Sequence, residues 1–203
     1  MSSLNQLISE IAHSVQQADS VPVRRAIRQG IIHARNELIR HSYSNHNYTD
    51  KVLKQKYNVT LVNGDTEGIK VSNDIIPKPI RFANNLPFHS VRTLDNIKPI
   101  VLCAISEGVR AYYGSLPGMK QSPSYDYYNN KLYVYGLPED VNQVCIESVF
   151  EYPNEIIGDN YNDDYDFFLP EDLVNAVKKL VLETFNPQVV RDTNEIPTPN
   201  LLK

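Results

Sequence analysis

The sequence predicts an α+β fold: an N-terminal helical pair, a small antiparallel β-sheet forming a meander, a C-terminal helix and an extended C-terminal arm. Three observations carry that prediction. Two β-favouring runs, Tyr125–Tyr128 and Lys131–Tyr135, flank Asn129-Asn130, a pair that tolerates positive φ and reads as a tight hairpin turn. A third run follows in which Val144, Ile146, Ser148 and Phe150 alternate with Gln143, Cys145, Glu147 and Glu151, as a strand with one buried face requires; Val149 breaks the alternation. Towards both ends of the chain the apolar spacing becomes helical instead. The expected organisation is one α+β domain over 1–185 (helical over 1–42, mainly β over 57–157, helical over 170–185) followed by an arm over 186–203.

Leu4, Leu7, Ile8, Ile11 and Val15 recur at helical spacing, with Ser2 or Ser3 available as a cap. Asp19 or Ser20 caps a second helix running to about His41, with Pro22 in its first turn, where a missing N–H costs little. Along it Val23, Ile27, Ile31, Ala34 and Leu38 form an apolar stripe. Arg24, Arg28 and Arg35 lie beside that stripe, and Ile32 and Ile39 lie beyond the arginines. Apolar residues on both sides of a basic stripe imply a helix touching two bodies; the alternative is a core helix whose arginines snorkel to solvent. His41 to Asp50 has loop chemistry, and Lys51 to Lys56 has room for a short helical turn.

Val59–Val62, closed by Asn63-Gly64, and Gly68–Val71 read as strands. Ile75 to Phe82 contains Pro77 and Pro79, which remove donors and fix φ, so it is expected to be an extended connector over the core. Over 97–113 helix and strand compete. The β-branched content of Ile100–Ile105 favours strands, with Ser106-Glu107-Gly108 as a turn. In the last helix Pro170 marks the start, Glu171 and Asp172 occupy the first turn, and Leu173, Val177, Leu180 and Val181 form the buried face, with Phe185 at the end. Pro187 stops it, and the remainder has few apolar anchors.

The chain has 203 residues, 41% of them hydrophobic and 22% charged, an ordinary globular balance able to bury a core. Its formal charge of -4 argues against a general nucleic-acid binder, which needs a basic excess for phosphate contacts. Cys103 and Cys145 both fall in apolar runs and read as buried free thiols. No stretch of about 18 apolar residues offers a membrane span, and the first residues lack the pattern of a secretory signal, so synthesis and folding in a cytoplasm are expected.

No phosphate-binding glycine loop and no Ser, Cys or Thr nucleophile in a recognised setting is present, so no catalytic residue and no cofactor is expected. His41 and His46 lack a third ligand at zinc spacing. Around Asp159, Asp163, Asp164 and Asp166 the glycine and the closing glutamate stand in the wrong places for a calcium loop, so no metal is expected either. A hydrolase using carboxylates of the acidic loop is an alternative from another class; Glu147 and Glu151 fall on one strand face, but such spacing is common in strands. A carbohydrate-binding β-module is a third reading, which the lack of tryptophan disfavours.

Charge and tyrosine are unevenly distributed. Between Val21 and Ser42 five arginines (24, 25, 28, 35 and 40) face Glu37 alone, whereas Glu139 to Asp172 holds eleven acidic residues and no lysine or arginine. Such blocks pair either within one fold or between neighbouring copies in a head-to-tail contact that closes into a ring. Of thirteen tyrosines, seven fall between Tyr112 and Tyr135; tyrosine suits protein interfaces, and it also simply suits strands. The candidate interface residues are therefore Arg24, Arg28, Arg35, Tyr125, Tyr127, Tyr128, Asp163, Asp164 and Asp166. Reversing Arg28 and Arg35 to glutamate is expected to leave the subunit folded and to weaken assembly.

Several segments occur together in a particular order: Arg24-Arg25-Ala26-Ile27-Arg28; Ile76-Pro77-Lys78-Pro79-Ile80-Arg81-Phe82; Tyr128-Asn129-Asn130-Lys131-Leu132-Tyr133-Val134-Tyr135; Ile146 to Pro153; and Leu169-Pro170-Glu171-Asp172-Leu173. In that order, over roughly Arg24 to Phe185, the chain resembles a family of virion structural proteins from crAss-like, short-tailed bacteriophages of Bacteroides-type hosts. The resemblance implies a ring of about a dozen copies, stacked on the portal or on another tail ring, encircling the path of the genomic DNA without reading its sequence. Many members of that family carry a cysteine-rich stretch before the Pro-Lys-Pro connector. This chain has Asn63-Gly64-Asp65-Thr66 there, so no metal or redox role is carried over.

Overall fold

The structure, a computed structural model, describes residues 3–46, 51–66, 68–81, 85–94, 99–105, 109, 122–157 and 162–185. The chain forms two compact units: Met1–Leu38 with Asn162–Lys203, and Ile39–Tyr161.

The first unit is helical. Helix α1 (Leu4–Ser14) is capped by Ser3, whose hydroxyl accepts from the Gln6 amide at 3.1 Å. It buries Leu4, Leu7, Ile8 and Ile11 of the predicted stripe together with Ala12, while Val15, the C-cap, packs only partly buried. Helix α2 (Val21–His46) starts where the Ser20 carbonyl accepts from Arg24 N, and it buries Ile27, Ile31, Ile32 and Ala34 in the same core. At Gly30 an added Cβ would sit 3.4 Å from a Val181 methyl, so α2 comes close to the C-terminal helix there. That helix (Glu171–Phe185, numbered α4 in chain order) opens with Leu173 N donating to the Pro170 carbonyl. Its deepest residues are Val174, Val177 and Val181, while Leu173 and Leu180 pack only partly buried. The buried face is thus rotated by about one residue from the expected one.

The second unit is a closed barrel of seven strands: β1 (Gln55–Asn63), β2 (Ile69–Ser72), β3 (Ser90–Thr93), β4 (Val101–Ala104), β5 (Ser124–Tyr128), β6 (Lys131–Tyr135) and β7 (Gln143–Ser148), in the order β1-β2-β6-β5-β4-β3-β7. Every pairing is antiparallel except β4 with β5. Closure depends on β1. Gln55 to Thr60 pair with β7, whereas Leu61 to Asn63 pair with β2, so one nine-residue strand serves two neighbours in succession. The interior is filled by Val59, Leu61, Val91, Leu102, Tyr125, Leu132, Val134, Val144 and Ile146, with Ile76, Phe88 and Phe150 added from outside the strands.

The expected small antiparallel sheet with a three-strand meander is therefore overturned by the barrel. Its first two strands do form the predicted hairpin: Asn129 and Asn130 take φ of 51° and 58°, and Tyr128 pairs with Lys131. The third, β7, pairs not with β6 but with β1 and β3. Local turn chemistry fixes a hairpin, but nothing local fixes which distant strand an alternating run joins. Joining distant strands here removes the free edges that an open sheet would leave.

Other differences are smaller. Helix α2 continues to His46 through residues read as loop, and the strand expected over Val59–Val62 begins at Gln55 after a 3₁₀ turn at Lys51–Leu53. The sequence reading did not anticipate β3 or the short helix α3 (Asn154–Ile157). The connector is extended as expected. Ile80 N donates to the Val149 carbonyl and Glu151 N to the Lys78 carbonyl, so the connector lies along the chain that follows β7. Cys145 is buried, but Cys103 is exposed on β4, correcting the reading of both as buried thiols. The turn at 106–108, Phe82 and the arm over 186–203 lie outside the described residues.

Candidate functional site

Strand alternation divides the tyrosines of the β5–β6 hairpin between the two faces of the barrel wall. Tyr125 and Tyr127 stand opposite Val134 and Leu132 on the inner face. Both rings pack on Phe88, with centroids 5.8 and 4.9 Å away, and the Tyr127 hydroxyl bonds Asn130 Oδ1 at 3.2 Å. Burial pushes the Tyr125 phenol up to about 12, with the Cys103 thiol adding to the effect. Burial also raises Tyr127. Of the three predicted interface tyrosines, then, Tyr125 is barrel core, Tyr127 is half-buried against that core, and Tyr128 lies outside.

On the outer wall Tyr128 stacks flat on Tyr133, with centroids 4.1 Å apart and planes within 5°. These two rings, with Lys131 and Tyr135, line one side of a groove of about 540 Å³. Val62 and Val71 from β1 and β2 line another, and Asp65 and Thr66 of the β1–β2 turn complete it. Gly64 lets that turn close: a Cβ there would meet Val71 at 3.1 Å and the Ile69 carbonyl oxygen at 3.2 Å. The prediction missed Tyr133 and Tyr135 as groove residues. Their signal was the same period-2 rule, since Lys131, Tyr133 and Tyr135 fall on the face opposite Leu132 and Val134.

The charged candidates behave differently. In the helical unit Arg28 meets Asp163 at 2.9 Å, Arg24 bonds Ser9 Oγ and the Ala18 carbonyl, and Asp164 accepts from Asn5 Nδ2 at 2.7 Å. Asp166 is exposed and forms a backbone bridge with Ser3. Arg35 is fully buried: its Nε donates to the Phe168 carbonyl at 2.8 Å, Nη1 donates to Asn36 Oδ1, and the guanidinium lies 5.8 Å over the Phe167 ring. In the barrel unit Glu151 is clasped by Arg40 and, at 3.1 Å, by Lys78. The basic helix and the acidic segment thus neutralise each other in part inside one chain. The hydrolase candidates are likewise engaged, Glu151 as described and Glu147 with Lys54 at 3.9 Å.

Among the described residues no group of three or more His, Cys, Asp or Glu is placed to hold a metal ion, and no helix is long and apolar enough to cross a membrane.

A helical unit together with a closed seven-strand barrel whose outer wall bears an aromatic groove is the class of protein these residues define. The chain belongs to the crAss-type family described as phage tail ring protein 2, which matches it over residues 6–199. No curated protein matches it. The resemblance to virion proteins of crAss-like phages is accordingly correct: this is a phage tail ring protein, and a virion component on that account.

Proposed function

We propose that this tail ring protein is a non-enzymatic connector, or adaptor, in the portal–tail assembly. Copies of the chain form a closed ring of about a dozen, stacked on the portal or on another tail ring, and the genome passes through it without sequence-specific contact. The observation that carries the reading is the family match, which runs through both compact units. The chemistry of the surface agrees with it: Val62, Val101 and Tyr128 remain exposed on the barrel wall, apolar area of the kind that assemblies cover. The partner-facing roles first assigned to Arg28, Arg35 and Asp163 are not retained, because those groups are engaged within the helical unit.

The test is cryo-electron microscopy of purified virions together with mass spectrometry of their proteins. A ring at the neck whose density accommodates the seven-strand barrel is the expected result. Absence of the chain from particles, or its location on the capsid surface or at the distal tail tip, would overturn the connector role.

A further inference from the structure

We infer that the tyrosine groove on the barrel wall receives the C-terminal arm, residues 186–203, of a neighbouring copy; the inference rests on the ring reading above. The groove floor consists of β2 and β6, and each is already hydrogen-bonded on both sides, β2 by β1 and β6, β6 by β2 and β5. An incoming segment therefore cannot extend the sheet and must be held by side chains. Stacked aromatic rings with hydroxyls at their edges suit a proline-rich segment. Such a segment offers flat apolar rings and unpaired carbonyls, and it has few N–H groups to leave unsatisfied.

The chain carries one such stretch beyond its last described helix, Glu195-Ile196-Pro197-Thr198-Pro199, and the family match continues through it to residue 199. Pro197 and Pro199 would lie against Tyr128 and Tyr133, and Glu195 has a partner of opposite sign in Lys131 at the groove. Eighteen residues follow Phe185. In an extended polyproline-like form eighteen residues span roughly 55 Å.

The experiment uses the full chain carrying Pro197→Gly and Pro199→Gly, which disables its own arm. A fluorescein-labelled peptide of residues 186–203 is titrated in and followed by anisotropy. Saturable binding is expected, weakened roughly tenfold by Tyr133→Ala in the protein and by the same two glycine substitutions in the peptide. Lys131→Glu should weaken binding, and Glu195→Lys in the peptide should restore it, a rescue that damage to the fold cannot produce. Absence of saturable binding, equal binding of the glycine peptide, or failure of the charge swap to rescue overturns the inference.

A second measurement asks which copy supplies the arm. In an equimolar mixture of isotopically heavy and light wild-type chains, each with a photo-crosslinker at position 66, heavy-to-light links to residues 186–203 are expected; same-label links alone overturn docking between copies. Neither measurement requires virions. A silent titration alongside a neck ring ends the arm docking only, and a positive titration with no chain in particles ends the connector role only.

Discussion

Among the described residues each unit buries one cation, Arg35 in the helical unit and Lys70 in the barrel, and the two are held by different chemistry. Arg35 is gripped as a plane. Its fork reaches the Phe168 carbonyl and the Asn36 side chain, and its face lies over Phe167. Lys70 is held as a point: Nζ donates to the carbonyls of Pro138, Glu139 and Val141 and to Asn142 Oδ1, all within 3.1 Å. In both cases a positive charge ties irregular backbone to a regular element, the 167–169 segment to α2 and the β6–β7 loop to β2. A buried cation here satisfies carbonyls that no ladder would satisfy.

Reversing the plane should be the most damaging change. Arg35→Glu places a carboxylate against the Phe168 carbonyl in a fully buried site, at a cost of more than about 3 kcal/mol, a large share of a domain's stability. Thermal melts and soluble yield would record it, and a melt unchanged from wild type would show that the site opens to water. The burial of Arg35 thus argues against the expectation that reversing Arg28 and Arg35 together leaves the fold intact. Lys70→Met keeps the stem and removes the donors. It should cost about 2 kcal/mol and speed amide exchange over 136–142, because those carbonyls must then find water. Equal exchange in wild type and variant would mean that Lys70 does not hold the loop.

A buried phenol extends the comparison to proton release. Burial penalises the phenolate of Tyr125 and pushes its phenol up from the ordinary 10.0 to about 12. The folded barrel keeps this proton longer than the unfolded chain does. The contribution is thus fully present below pH 10 and disappears as pH rises through about 12, amounting to about 2 to 3 kcal/mol. Melting temperature against pH, with Tyr125→Phe as the reference, measures it; parallel profiles for the two proteins would contradict the assignment.

Local features of this fold were legible and non-local ones were not. The Asn129-Asn130 turn, the Ser3 cap, the α1 stripe and the inward Val144, Ile146, Ser148 and Phe150 depend on neighbours a few residues away, so spacing exposes them. Barrel closure depends on β1 dividing its length between β7 and β2, which no local pattern encodes. Strand β3, four residues of which only Val91 is apolar, gives too short a signal to stand out from the loops around it. At the candidate surface the tyrosine enrichment was a true signal read at the wrong resolution: alternation sends Tyr125 and Tyr127 inward and brings Tyr128 and Tyr133 together outside. Arg35 misled because charge usually marks the surface, and only the tertiary contacts reveal its carbonyl partner.

The smallest effect should come from Arg28, the neighbour of Arg35 on the same helix. Its ion pair with Asp163 spans 2.9 Å, but the arginine side chain is 40% exposed, so water and salt screen the pair. Arg28→Glu should cost no more than about 1 kcal/mol, with a dependence on ionic strength that Arg35 variants lack. A double-mutant cycle with Asp163→Lys measures the coupling, and the reversed pair should recover most of the loss. If instead Arg28→Glu leaves the melt almost unchanged while ring formation in particles fails, the same guanidinium must act on a second copy as well as on Asp163. That result would restore to Arg28 alone the inter-subunit role that the buried geometry denies to Arg35, because only the more exposed of the two can exchange an internal partner for an external one.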